Sequence, residues 1–226
     1  MKNNRPVSVA IDGPGGAGKS TIARILAKRL GYIYVDTGAL YRAVGYAALT
    51  AGLDPRNAEA VCALLPSLCV ELTYLEGEQR VLVNKEDVSD RIRTPEVSMA
   101  ASAVSAIPEV RRFLFALQQD MAVRHSVIMD GRDIGTVVLP QAQVKIFLTA
   151  SAEERARRRY EELIGKGMSV TFDEVLRDME ERDKNDSERA TAPLKAADDA
   201  VLVHTDGNTL EESVERIYRI VEEALA

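Results

Sequence analysis

Soft metal ligands are almost absent from this chain: two cysteines and two histidines are all that 226 residues supply. Cys62 and Cys69 are seven apart, which fits neither a C-x-x-C pair nor a disulfide framework. His125 and His204 stand alone, and His125, just ahead of an apolar run, reads as a surface or capping residue. That supply argues against a zinc or haem centre. Long apolar runs are missing too. None approaches the ~20 residues of a membrane span, and the segment before Asp12 holds no signal-peptide core, so a cytoplasmic protein without a membrane partner is expected. The third absence is a basic surplus. With 29 Lys and Arg against 35 Asp and Glu, the net charge is −6, which argues against a general nucleic-acid binder but leaves room for a few local arginines around one phosphate chain. No internal repeat, low-complexity tract or long linker is visible.

What is present is an ordinary globular composition, 46% apolar and 28% charged, in a length that suits one well-cored domain with room for an inserted lobe. The chain is organised around Gly13-Pro14-Gly15-Gly16-Ala17-Gly18-Lys19-Ser20-Thr21, which fits G-x-x-x-x-G-K-[ST]. Val7-Ser8-Val9-Ala10-Ile11 before it reads as a buried strand. After it, Ile22, Ile25, Leu26 and Leu30 read as one face of a helix starting near Lys19. Glycines are needed because backbone N–H groups wrap a phosphate chain only where side chains are missing. The helix N-terminus then aims unpaired N–H groups and its positive dipole end at the anion. Lys19 supplies a mobile cation for the outer phosphates, and the Ser20 hydroxyl is placed to hold Mg²⁺.

Tyr32-Ile33-Tyr34-Val35 reads as a second strand that turns through Asp36-Thr37-Gly38 into a helix starting near Ala39. Ligands of open α/β sheets bind outside strand carboxyl ends, so Thr37 and Arg42 read either as residues facing a ligand or as a helix cap and a surface arginine. Val70–Tyr74 and Arg80–Val83 alternate as strands of a small antiparallel lobe, with a short third piece over Val88–Ile92. Thr94-Pro95 and Pro108 start two helices; Ser102 lies on the first, while Arg111 and Arg112 open the second. Ser126–Asp130 is a buried strand with a carboxylate at its exit, a usual place for a magnesium-associated Asp, and Arg132 and Asp133 follow as candidate substrate readers. Val144–Leu148 and Val201–Thr205 complete a five-stranded parallel core. Capping boxes are expected at Ser151–Glu154, Thr171–Glu174 and Thr209–Glu212. Between the first two runs a hairpin with seven arginines, most of them read as solvated i,i+4 partners and one or two as closing over phosphates.

A P-loop, five parallel strands, an inserted lobe and an arginine-bearing hairpin resemble a nucleoside monophosphate kinase. The motifs Ile11-Asp12-Gly13-Pro14, Asp36-Thr37-Gly38-Ala39-Leu40-Tyr41-Arg42, Asp130-Gly131-Arg132-Asp133-Ile134-Gly135, Lys145-Ile146-Phe147-Leu148, Glu181-Arg182-Asp183 and Arg189-Ala190 with Ala192-Pro193-Leu194 resemble the bacterial cytidylate kinases over nearly the whole chain. The resemblance implies an α/β P-loop kinase with core 1–59, 106–150 and 191–226, a monophosphate-binding lobe at about 60–105, and a helical lid at about 151–190. It implies ATP and Mg²⁺ as cofactors, CMP and dCMP as small-molecule substrates, and a monomer. Gly13 to Thr21 would hold the ATP phosphates, and Arg42 and Arg132 the acceptor phosphate. Thr37, Arg111 (or its neighbour Arg112), Asp133 and Arg189 would recognise cytosine, with Ser102, Arg182 and Asp186 on the pentose. Lys19, Arg132 and Arg182 would serve transfer itself. A P-loop kinase for UMP, AMP, dTMP or a carboxylated metabolite, and a nucleotide switch without transfer, stay as alternatives.

Overall fold

The computed structural model describes residues 5–226; residues 1–4, part of the segment read above for a signal peptide, lie outside them. In chain order the elements are β1 (Ser8–Asp12), α1 (Lys19–Leu30), β2 (Ile33–Asp36), α2 (Thr37–Thr50), α3 (Ala58–Leu64), β3 (Val70–Leu75), β4 (Glu78–Val83), β5 (Glu86–Asp87), α4 (Pro95–Ser105), α5 (Pro108–Arg124), β6 (Val127–Gly131), a π-turn (Ile134–Val138), β7 (Val144–Thr149), α6 (Ala152–Gly165), α7 (Phe172–Glu188), β8 (Val201–His204) and α8 (Leu210–Leu225). They form two compact units, one running to Tyr34 and resuming at Ala122, the other spanning Val35–Met121.

The expected five-stranded sheet has the order β2-β6-β1-β7-β8, and all of it but Val35 and Asp36 of β2 belongs to the first unit. The β1–β6, β1–β7 and β7–β8 pairs are parallel. Val9, Ala10 and Ile11 are buried on both faces, as an unbroken apolar strand in a parallel sheet must be. Val9 and Ile11 pack with Ile22, Leu26, Ile128, Ile146, Val203, Ile217 and Val221 into one core. The β1–β6 register sets Ile11 beside Asp130 and Asp12 beside Gly131. The glycine loop and the Gly131-Arg132-Asp133 segment therefore leave the sheet at the same edge. α6 and α7 form the expected hairpin, closed by a small core of Ala156, Leu163, Val175 and Met179.

The second unit holds the antiparallel sheet β3-β4-β5. Its helices pack Leu40, Val44, Val61, Val104, Val110 and Leu114 together. Gly45 lets α2 approach α4 closely, since a Cβ there would lie 3.0 Å from the Ala100 carbonyl carbon. The lobe expected at about 60–105 lies within this unit.

Several local expectations are corrected. α2 starts at Thr37, two residues early, because Asp36 caps it by accepting from the Ala39 N–H. The seven-residue α3, capped by Asn57, was not expected. The third strand is Glu86–Asp87; Val88 and Ile92 after it are buried anchors of a turn rather than strand residues. The buried face of α1 runs through Ile22, Ala23, Leu26 and Ala27, which leaves Ile25 exposed, and Leu210 of α8 is exposed as well. Full capping boxes form at Thr171 and Thr209. At Ser151 only half forms: its hydroxyl accepts from the Glu154 N–H, while its own N–H donates to Asp206. Glu154 is drawn away by Arg158, whose guanidinium also donates to the Thr205 carbonyl and hydroxyl.

Thr209→Ala removes one half of the box that starts α8 and should lower stability by about 1 kcal/mol. A urea titration of the two proteins, compared at their midpoints, checks it.

Candidate active site

In the first unit, β1 ends at Asp12 and the loop turns at Gly13 with φ of 144°. A Cβ on Gly13 would stand 1.9 Å from the Leu148 carbonyl oxygen, so only glycine lets the loop leave the sheet here. Gly18 precedes α1 in the left-handed region with no side-chain cap, and the first turn of α1 carries no acidic residue. Its free N–H groups and dipole are thus left for an anion.

Lys19 opens that turn. Its ammonium is buried and donates to the Pro14 carbonyl at 2.7 Å. Burial, then the neighbouring Arg132 and Arg182, hold its pKa well below the usual lysine range, against the pull of Asp130. Ser20 Oγ donates to Asp130 Oδ2 at 2.7 Å, and the Tyr34 hydroxyl donates to Oδ1 of the same carboxylate at 3.0 Å. Two hard oxygens, one hydroxyl and one carboxylate, fit Mg²⁺, which takes one or two protein ligands and fills its octahedron with phosphate oxygens and water. Among the described residues, no group of three or more His, Cys, Asp or Glu could hold a metal ion.

The arginines converge on the glycine loop. Arg132 Nη2 and Arg182 Nη1 each come within 3.7 Å of where a Cβ on Gly15 would sit. Arg132 Nε pairs with Asp186 at 2.7 Å. Burial opposes the charge on Arg132, and Asp186 more than offsets it. Burial likewise pushes the Asp186 carboxyl up, yet Arg132 and Arg182 hold it below the usual range. Arg155, one of the seven hairpin arginines, is buried: it donates to the Gly15 and Ala150 carbonyls and pairs with Asp183 at 2.6 Å. Arg189 pairs with Asp133 at 3.4 Å and donates from Nε to the Ala192 carbonyl at 2.7 Å. Arg158 with Glu154 (i,i+4) and Arg159 with Glu162 (i,i+3) form helix-surface pairs of the expected kind. Asp12, buried behind the loop, accepts from the Ile134 and Gly135 N–H groups at 2.8 and 2.7 Å. Burial pushes its carboxyl up to about 6 in spite of those two bonds.

The second unit has its own polar cluster. Thr37 is buried at the start of α2 and is not the cap; Asp36 is. Arg42, one turn and a half on, returns to Asp36 at 2.7 Å. Burial raises the Asp36 carboxyl, but Arg42 and Arg93 outweigh it and leave its pKa lowered. Gln79 of β4 accepts from the Asp36 N–H and donates to its carbonyl. Arg111 is buried, with its guanidinium carbon 5.6 Å from the Tyr41 ring centre and Nη1 on the Ser105 carbonyl. Arg112 points outward toward Glu109. Ser102, also buried, accepts at its carbonyl from the Ser105 hydroxyl.

Lys19, Ser20, Arg132, Asp133, Arg182, Asp186 and Arg189 thus share the first unit with the glycine loop. Thr37, Arg42, Ser102 and Arg111 belong to the second. The sequence reading missed the supporting roles of Asp12, Asp36, Arg155 and Asp183. The signal for Asp36 was present, a carboxylate at a strand exit three residues ahead of the amide it caps.

A sequence profile of one family, described as cytidylate kinase, matches residues 9–223. A cytidylate kinase from Caldicellulosiruptor saccharolyticus is 48% identical over 216 residues, 96% of this chain and 96% of that one. Another, from Geobacter sulfurreducens, is 51% identical over 219 residues, 97% of this chain and 94% of that one. Among solved structures, an uncharacterized protein from Eubacterium ventriosum aligns with a TM-score of 0.52 at 11% identity, over 96% of this chain and 98% of that one, a likeness of fold alone. Among the described residues no helix is long and apolar enough to cross a membrane.

The Asp36–Arg42 pair gives the second unit a pH signature. Because the folded pKa of Asp36 is lowered, the pair's stabilisation is present above the unfolded carboxyl value of about 3.9 and is lost as the pH falls through the folded one. Arg42→Met strands a buried carboxylate and should cost roughly 3 kcal/mol near neutral pH. Urea midpoints of the two proteins should lie far apart at pH 7 and draw together as the pH falls through the lowered Asp36 value.

Proposed function

The chain belongs to the cytidylate kinase family, and from that premise we propose that it transfers the terminal phosphoryl group of ATP directly to the phosphate of CMP and dCMP. The observation that carries the reading is the convergence of Arg132 and Arg182 on Gly15 beside the buried Lys19. Like charges packed so closely repel one another, and a polyphosphate laid along the loop removes that repulsion.

In this reading Gly13, Pro14, Gly15, Gly16, Ala17, Gly18, Lys19, Ser20 and Thr21 wrap the ATP phosphates, with Lys19 leaving the Pro14 carbonyl for the outer ones. Ser20 and Asp130 hold Mg²⁺, which when bound neutralises charge on the phosphate oxygens. Lys19, Arg132 and Arg182 meet the charge that builds up on the transferred group. The attacking oxygen of CMP is already ionised, so no side chain has to act as a strong base; alignment and electrostatics carry the rate. Arg132 takes the CMP phosphate, Asp133 and Arg189 the base, and Arg182 and Asp186 the pentose. Arg42 takes the phosphate, Thr37 and Arg111 the base, and Ser102 the pentose. The burial of Arg111 and the outward course of Arg112 favour Arg111 as the base reader. The hairpin α6–α7 serves as the lid, and the enzyme works in the cytoplasm as a monomer on small-molecule substrates.

The direct test is ADP release with CMP, dCMP, UMP, AMP and dTMP in turn. Release fastest with CMP and dCMP is expected; equal rates with all five would overturn the assignment. Lys19→Ala should lower turnover on the order of 10³-fold or more while leaving the circular dichroism spectrum unchanged.

Cytosine presents an amino donor at N4 where uracil presents an acceptor. A carboxylate held in place by an arginine accepts from the first and repels the second. Asp133→Ala should therefore lower kcat/KM for CMP by roughly two orders of magnitude and that for UMP far less. An equal loss for both substrates would make Asp133 a scaffold residue.

A further inference from the structure

Asp12 lies outside the glycine pattern, and no step of the proposed transfer uses it. It is the last residue of β1, and its carboxylate is buried. Both oxygens are committed, Oδ1 to the N–H of Ile134 at 2.8 Å and Oδ2 to the N–H of Gly135 at 2.7 Å. Those two amides open the π-turn Ile134–Val138, whose own preceding residue, Asp133, offers no side-chain cap. Asp133 instead closes the turn through its carbonyl, which accepts from the N–H groups of Val137 and Val138. A residue 122 positions before Ile134 thus supplies the cap that Asp133 does not. The side chain of Asp133 is left to face Arg189. On the near side, Asp12 is followed at once by Gly13, which is wedged against the Leu148 carbonyl. One carboxylate therefore ties the root of the glycine loop to the residues directly after Arg132 and Asp133.

We propose that Asp12 is a positioning residue: by accepting from the Ile134 and Gly135 amides it fixes the orientation of Arg132 and Asp133 relative to the glycine loop. The consequence rests on the kinase reading above, but the clamp itself does not. A carboxylate is required because two adjacent N–H donors need two acceptor oxygens. An amide offers one, and turns an NH₂ group against the second donor. Arg132 has further anchors in Asp186 and the Gly131 carbonyl, whereas Asp133 depends on the π-turn for its backbone setting. Loss of the clamp therefore falls harder on base reading than on phosphate holding.

The experiment uses the full chain with Asp12→Asn. Amide hydrogen exchange at Ile134 and Gly135 is read first, without substrate. At least one of the two should lose protection while the amides of α1 keep theirs; unchanged protection at both overturns the clamp whatever the enzyme's substrate. Steady-state rates are read next. The KM for ATP should stay within about twofold, while kcat/KM for CMP falls on the order of tenfold or more and the preference for CMP over UMP narrows by a similar factor. A fall shared equally by CMP and UMP, or one that tracks a rise in the KM for ATP, would make Asp12 a purely structural residue of the loop. If the wild-type protein shows no CMP activity, the kinase reading fails and the exchange result alone decides the clamp. Asp12→Ser, smaller and neutral, takes the same readouts should Asp12→Asn not fold.

Discussion

Cations must be held against a short stretch of backbone before any phosphate is there to balance them. At 4 Å, two like charges at an effective dielectric of 20 repel by about 4 kcal/mol, so each arginine around the glycine loop needs its own counter-charge. Arg132 has Asp186, Arg155 has Asp183 and Arg189 has Asp133. Two of those carboxylates come from one face of α7, three residues apart. Lys19 is the exception. Its ammonium rests on a carbonyl, and burial first, then Arg132 and Arg182, hold its pKa low. This buried cation, held by a carbonyl, is the one aimed where the outer phosphates are proposed to lie.

The second unit meets the same constraint on a smaller scale. Asp36 caps α2, pairs with Arg42 and is hydrogen-bonded by Gln79 at its backbone. A single residue thus fixes the helix start, the arginine and the strand end together. Arg111 is handled differently, by an aromatic face and a carbonyl rather than by a carboxylate.

What could be read from the sequence follows from how each feature is built. The glycine loop was legible because backbone does the binding there, and backbone binding forces a composition. The parallel strands were legible because burial on both faces leaves continuous apolar runs. α3 was not, since seven residues make barely two turns of pattern, and β5 has only two residues in which to alternate. Ile25 and Leu210 misled because an apolar residue beside a helix's buried stripe costs little when exposed. Arg111 and Arg112 carry the same charge, but Arg111 shares a helical face with buried Leu114 and Gln118, a distinction the spacing already contained. The Asp12 and Asp183 contacts join residues far apart in the chain or reverse a surface reading, and no local pattern encodes them.

The half-formed cap at Ser151 has a mechanical consequence. The first two turns of α6 are bolted to the β8–α8 connection by Ser151 with Asp206 and by Arg158 with Thr205. At the far end, Gly165 and Gly167 have no neighbour within 4 Å of an added Cβ. Were the hairpin to move as the proposed lid, the start of α6 would be its fulcrum and its arm would measure about 20 Å. Arg155 sits one turn from the fulcrum, where a swing that carries the tip several ångströms displaces it by a small fraction of that. Wide travel at the tip and a nearly stationary guanidinium on Gly15 are compatible in the same motion.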